Sequence, residues 1–82
     1  MNEINFSKHA LDVMIKRDIS KALVFETINN YSLKVNVSND EEHYYKTIES
    51  KEDRCLKVVL NPKTLNVITV YFDRNMRKRG CK

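Results

Sequence analysis

His9, Arg17, Lys46, Thr69 and Tyr71 are the side chains of this sequence whose types together suit one reaction. In metal-independent RNA cleavage the 2′-hydroxyl attacks its neighbouring phosphate. The step needs a base for the hydroxyl proton, cations for the phosphorane charge and an acid for the leaving 5′-oxygen. An imidazole ordinarily titrates near neutral pH, so His9 could serve as either base or acid. Its place one step into a helix would favour a phosphate oxygen held nearby at the helix N-terminus. Arg17 follows eight residues later, roughly two turns on along the same helical face. A guanidinium there can clamp phosphate with two prongs, which the neighbouring Lys16 cannot do. Taken singly, each of the five also suits an ordinary structural role. Their combination is what points to chemistry.

Three of the five come from strands. Lys46 shares a strand face with Tyr44 and Ile48, where it either covers the sheet or holds a charge over it. Thr69 and Tyr71 alternate with Ile68 and Val70 and so point to one common face. His43 stands beside Asp40, Glu41 and Glu42 at a polar turn and reads as an exposed residue. Tyr44 and Tyr45 could stack on unpaired bases, although strand alternation requires one of them to face the core. The acidic run 40–42 falls in that turn and forms no convincing metal cluster, and no Ser-His-Asp triad can be assigned by spacing. The single glycine, Gly80, rules out both G-x-G-x-x-G and the Walker A loop. No metal or cofactor is expected.

The elements that must carry these residues follow from periodicity. Ser7 is a good N-cap for a helix reaching about Arg17, with Ala10, Leu11 and Met14 toward the core. Ser20 caps a second helix, "KALVFETINN", whose Leu23, Val24 and Ile28 face inward, with Asn29 or Asn30 as its C-cap. The period then falls from 3.6 to 2. "YSLKVNVS", "HYYKTIE", "RCLKVVL" and "VITVYF" read as four strands, the third with Leu56, Val58 and Leu60 on its core face. The last is apolar on both faces, as a central strand would be. Turns of about four to six residues make an antiparallel meander. The fold class is therefore α+β: two N-terminal helices packed on a roughly four-stranded antiparallel sheet.

The chain has 82 residues, 41% hydrophobic and 32% charged. That is one globular domain, assigned to residues 1–74, with a thin core. Residues 75–82 form a basic C-terminal tail. The net charge is +4, but its placement matters more. Six acids fall between Asp40 and Asp53, whereas "RNMRKRGCK" closes the chain with five bases. Such an end attracts nucleic acid, an acidic partner or an anionic surface, unless it is simply solvated. Lys16, Arg54, Arg74, Arg77, Lys78 and Arg79 are the basic residues expected to meet RNA. No apolar run is long enough to span a bilayer and no signal pattern opens the chain, so a cytoplasmic protein is expected. For Cys55 and Cys81 that compartment argues against, without excluding, a disulfide.

"FSKHALDVMIKRDIS" followed by "NVITVYFDR" resembles the domain-of-unknown-function family 4258 over roughly residues 5–74. Those short microbial domains open with S-x-H-A, a Met and an Arg in one helix, then I-S, and close with a V-x-T-V-Y strand. More remotely, the family resembles the RelE-like and barnase-like ribonuclease toxins. The resemblance implies two helices before an antiparallel sheet that carries the RNA site, an endoribonuclease activity, and a cognate antitoxin or immunity protein. It maps the motif histidine to His9, the helix-end arginine to Arg17, the strand pair to Thr69 and Tyr71, and a middle-strand base to Lys46. Two positions depart from the pattern. Val13 replaces an Arg common four residues after the histidine, which shifts phosphate binding toward Arg17, Lys46 and Arg54. Asp18 stands where Gly usually precedes I-S. A non-catalytic RNA-binding or protein-interaction module of the same fold is the rival reading. The nuclease reading requires the first helix and the last strand to bring the five residues around one pocket.

Overall fold

Ser7 decides where the first helix begins. In the computed structural model, which describes residues 4–74, its backbone is extended and its hydroxyl accepts the Ala10 N–H at 3.0 Å, capping helix α1, Lys8–Arg17. The same hydroxyl donates to the Ile68 carbonyl at 3.0 Å, so the cap also ties the helix to a strand 61 residues away. Helix α1 stops at Asp18, which is left-handed (φ 54°, ψ 48°). Aspartate is among the few non-glycine residues that tolerate this conformation, which accounts physically for the glycine usual at this position in the pattern above. Ser20 caps helix α2, Lys21–Asn29, by accepting the Leu23 N–H. Asn30 ends it as expected by position but not by mechanism, because its φ is −129° rather than left-handed.

The remaining elements are strands β1 (Asn5–Phe6), β2 (Leu33–Ser38), β3 (Glu41–Ile48), β4 (Arg54–Asn61) and β5 (Asn66–Phe72), with a short 3₁₀ turn at Glu49–Lys51. They form one sheet in the order β1-β5-β4-β3-β2. Strands β2 to β5 make the expected antiparallel meander. Strand β1 departs from expectation: it pairs parallel with β5, Asn5 opposite Asn66 and Phe6 opposite Val67. The sheet is therefore five-stranded and mixed, not four-stranded and antiparallel. Two residues are too few to show a period, and their pairing is set by chain far away in sequence. The central strand is β4, not β5.

One sheet face, carrying Tyr44, Ile48, Leu56, Val58, Leu60, Val67 and Val70, packs against Ala10, Met14, Ile19 and Val24 of the helical layer. Helix α1 lies over β5 and helix α2 over β3 and β4. Leu11, expected in the core, is 37% exposed, because Ala10 and Met14, four residues apart, define the inward stripe of α1 and Leu11 sits to its side. Cys55 is buried; Cys81, the other half of the disulfide considered above, lies outside the described residues. Among the described residues no helix is long and apolar enough to cross a membrane.

The double role of Ser7 has a measurable consequence. Replacing Ser7 with Ala removes both the cap and the tie to Ile68, and is expected to cost about 1–2 kcal/mol. Urea titration followed by circular dichroism reads this as a lowered midpoint with an unchanged slope.

Candidate functional site

Alternation along four adjacent strands, with their register, builds two transverse rows of side chains on the sheet face turned away from the helices. One row runs Thr69, Val59, His43 and Val35; the next runs Tyr71, Lys57, Tyr45 and Leu33. The rows lie about 7 Å apart, the rise of two strand residues. Tyr45 and Cys55 form a small apolar cluster on this side, separate from the main core.

Lys57 sits at the centre of the second row. Its ammonium donates to the Tyr71 hydroxyl at 2.8 Å. It also lies 5.1 Å from the Tyr71 ring centroid and 5.7 Å from that of Tyr45, within cation–π range of both. Burial works to lower the Lys57 pKa, but the hydrogen bond to Tyr71 and the electrostatic pull of Tyr45 and Tyr71 outweigh it and hold the pKa above its ordinary value. The lysine thus stays cationic. The phenol, having accepted a hydrogen bond, keeps its own proton free to donate.

In the first row, His43 Nε2 lies 2.6 Å from Glu41 Oε1, and its ring meets Tyr45 edge-on at 6.4 Å. The His43 side chain is only 14% exposed, which corrects the expectation of an exposed turn residue. Strand β3 begins at Glu41 rather than after it, so His43 belongs to the sheet. Tyr44 and Tyr45 do face opposite sides, but both are buried, and neither offers a ring for base stacking as expected. The Tyr44 hydroxyl donates to Glu42 at 2.7 Å. Burial, together with that carboxylate, raises the Tyr44 pKa far above the usual tyrosine range, so it remains a neutral phenol.

The five residues expected around one pocket do not meet there. Thr69 and Tyr71 share the far face, as expected, and both are half-buried. Lys46 is on the opposite face, paired with Leu56, and lines a cleft of about 400 Å³ with Leu23, Glu26, Ile48, Glu49 and Ser50. A strand residue two positions from Tyr44 and Ile48 can point only to their side of the sheet, so Lys46 is separated from Tyr71 by the sheet itself. His9 and Arg17 are exposed on α1, on the helical side. They sit at the two ends of that helix, about 12 Å apart along its axis.

The expected RNA-contacting residues also divide. Lys16 and Arg74 are exposed. Arg54 is engaged within the fold, donating from Nε to the Lys51 carbonyl at 3.1 Å and lying 4.2 Å from the Phe72 ring centroid. Arg77, Lys78 and Arg79, with the rest of the tail 75–82, lie outside the described residues.

Lys57 was the residue that sequence reasoning missed. Alternation with Leu56 and Val58 already put it on the non-core face of its strand, but only the register Lys57 opposite Tyr71 brings it to the hydroxyl pair. Glu41 and His43 also carried a signal, since residues two apart in a strand share a face.

The fold is thus an α+β domain, with helices on one face of a mixed sheet and a lysine–tyrosine couple on the other. The family model for the domain of unknown function DUF4258 matches residues 6–72, and the chain belongs to that family. No curated protein and no solved structure matches the chain.

Proposed function

We propose that this protein is a small metal-independent endoribonuclease of RelE-like plan, acting as the toxin of a toxin–antitoxin or polymorphic toxin system, with its site on the sheet face away from the helices. The observation that carries this reading is the Lys57 ammonium, 2.8 Å from the Tyr71 hydroxyl on the face that also holds Thr69. A permanent cation beside a proton-bearing phenol supplies two of the three needs of RNA cleavage by 2′-hydroxyl attack. Lys57 balances charge on the phosphorane and Tyr71 protonates the departing 5′-oxygen. Thr69, one row away, can donate a hydrogen bond to a phosphate oxygen. A cognate antitoxin or immunity protein that covers this face, and a cytoplasmic site of action, belong to the same proposal.

The separation of His9, Arg17 and Lys46 from Thr69 and Tyr71 favours a second reading, in which the chain holds RNA without cutting it. Incubating the purified protein with a labelled mixed-sequence oligoribonucleotide in chelator separates the two. Cleavage to 2′,3′-cyclic phosphate ends, with the all-deoxy oligonucleotide left intact, is the expected result. Retention of RNA without cleavage establishes the second reading instead, and neither cleavage nor retention ends both.

A further inference from the structure

We infer that His43, oriented by Glu41, is the general base that activates the 2′-hydroxyl, where the sequence alone offered His9 as either base or acid. This inference rests on the ribonuclease reading and completes it, because Lys57 keeps its proton and Tyr71 is assigned as the acid, so neither takes the 2′-hydroxyl proton. Three features of His43 fit the role. Its ring is nearly enclosed but not sealed, at 14% exposure. Its position in the row of Thr69 puts it on the same face as Lys57 and Tyr71, two strands across and one row along from Tyr71 and so roughly 12 Å away at the backbone. Lys57 lies between the two, one strand from each, and in this assignment the phosphate it holds bridges them.

The third feature is the 2.6 Å contact between Nε2 and Glu41 Oε1. An ionised carboxylate can only accept, so Nε2 carries the proton and the lone pair rests on Nδ1. A carboxylate in this position holds the ring in one tautomer and stabilises the imidazolium once it forms. His43 also faces Tyr45 of its own strand, Val35 of β2 and Val59 of β4, with Lys57 and Tyr71 in the adjoining row. Glu41 is therefore the carboxylate placed to tune it.

The step balances. Nδ1 takes the 2′-hydroxyl proton as the 2′-oxygen bonds to phosphorus. The bond from phosphorus to the 5′-oxygen breaks as Tyr71 gives that oxygen its phenolic proton. The products are a 2′,3′-cyclic phosphate and a 5′-hydroxyl. Water then carries the proton from the imidazolium to the phenolate, which Lys57 has stabilised in the meantime.

Single-turnover cleavage of the same oligoribonucleotide in chelator tests the assignment, with circular dichroism melts confirming that each variant folds. His43→Ala is expected to lose at least 100-fold in rate and to regain at least tenfold with added imidazole, a rescue that a purely structural histidine would not show. Glu41→Gln is expected to lose about tenfold and to move the acidic limb of the pH–rate profile to lower pH, since the imidazolium loses its counter-charge. Wild-type rates in His43→Ala overturn this assignment while leaving the ribonuclease reading intact. So does a Glu41→Gln profile that superimposes on the wild type. A wild-type protein that cleaves no RNA removes the reading and the assignment together.

Discussion

Replacing Tyr71 with Phe is expected to slow RNA cleavage about 100-fold or more while leaving RNA affinity within about threefold. Removing a positioned general acid costs 10²- to 10⁴-fold in typical cases. The deleted oxygen is the one that accepts the Lys57 hydrogen bond, and the ring that packs beside the ammonium remains. The loss should therefore fall on the chemical step. A substrate whose 5′-leaving group is a good nitrophenolate needs no proton and should restore most of the rate. Equal losses on both substrates would place Tyr71 outside the acid role.

Lys57→Met should have the second large effect, lowering cleavage about 100-fold and weakening RNA binding as well. Methionine keeps the stem between Tyr45 and Tyr71 and removes only the charge. Each cation lost from a single-stranded complex lowers the slope of log affinity against log salt by about 0.7, and a salt titration of binding reads that change directly. Because the Lys57 pKa lies above its ordinary value, the ammonium persists through neutral and mildly alkaline pH. The wild-type rate should therefore show no loss assignable to this group across that range. Lys46→Ala and His9→Ala serve as controls and should cleave within about threefold of wild type, since neither side chain shares a face with Tyr71. A control that fails as badly as Lys57→Met would return the chemistry to the helical side.

These expectations reverse part of what the residue types alone suggested, and the reason is physical. Periodicity identifies which side of its own strand a residue occupies. It placed Tyr44, Lys46 and Ile48 together, and Thr69 with Tyr71, and the sheet has both groupings. Local chemistry likewise identified the Ser7 and Ser20 caps. Periodicity does not say which faces of different strands coincide, because that depends on register. Lys46 was chosen and Lys57 passed over, and the pairing of Leu56 with Lys46 and of Lys57 with Tyr71 shows which lysine shares a face with the hydroxyl pair. His43 was misjudged for a different reason: three acids in a row read as a turn, whereas two of them, Glu41 and Glu42, lie in the strand.

The pairing of β1 with β5 bears on how the molecule is made. Residues 5 and 6 are synthesised 61 residues before their partners, residues 66 and 67. The strand that completes the sheet also brings Thr69 and Tyr71. A nascent chain therefore lacks its phenol until almost all of the domain has been synthesised. If the protein cuts RNA, the domain gains its proposed acid only with the last of its described strands.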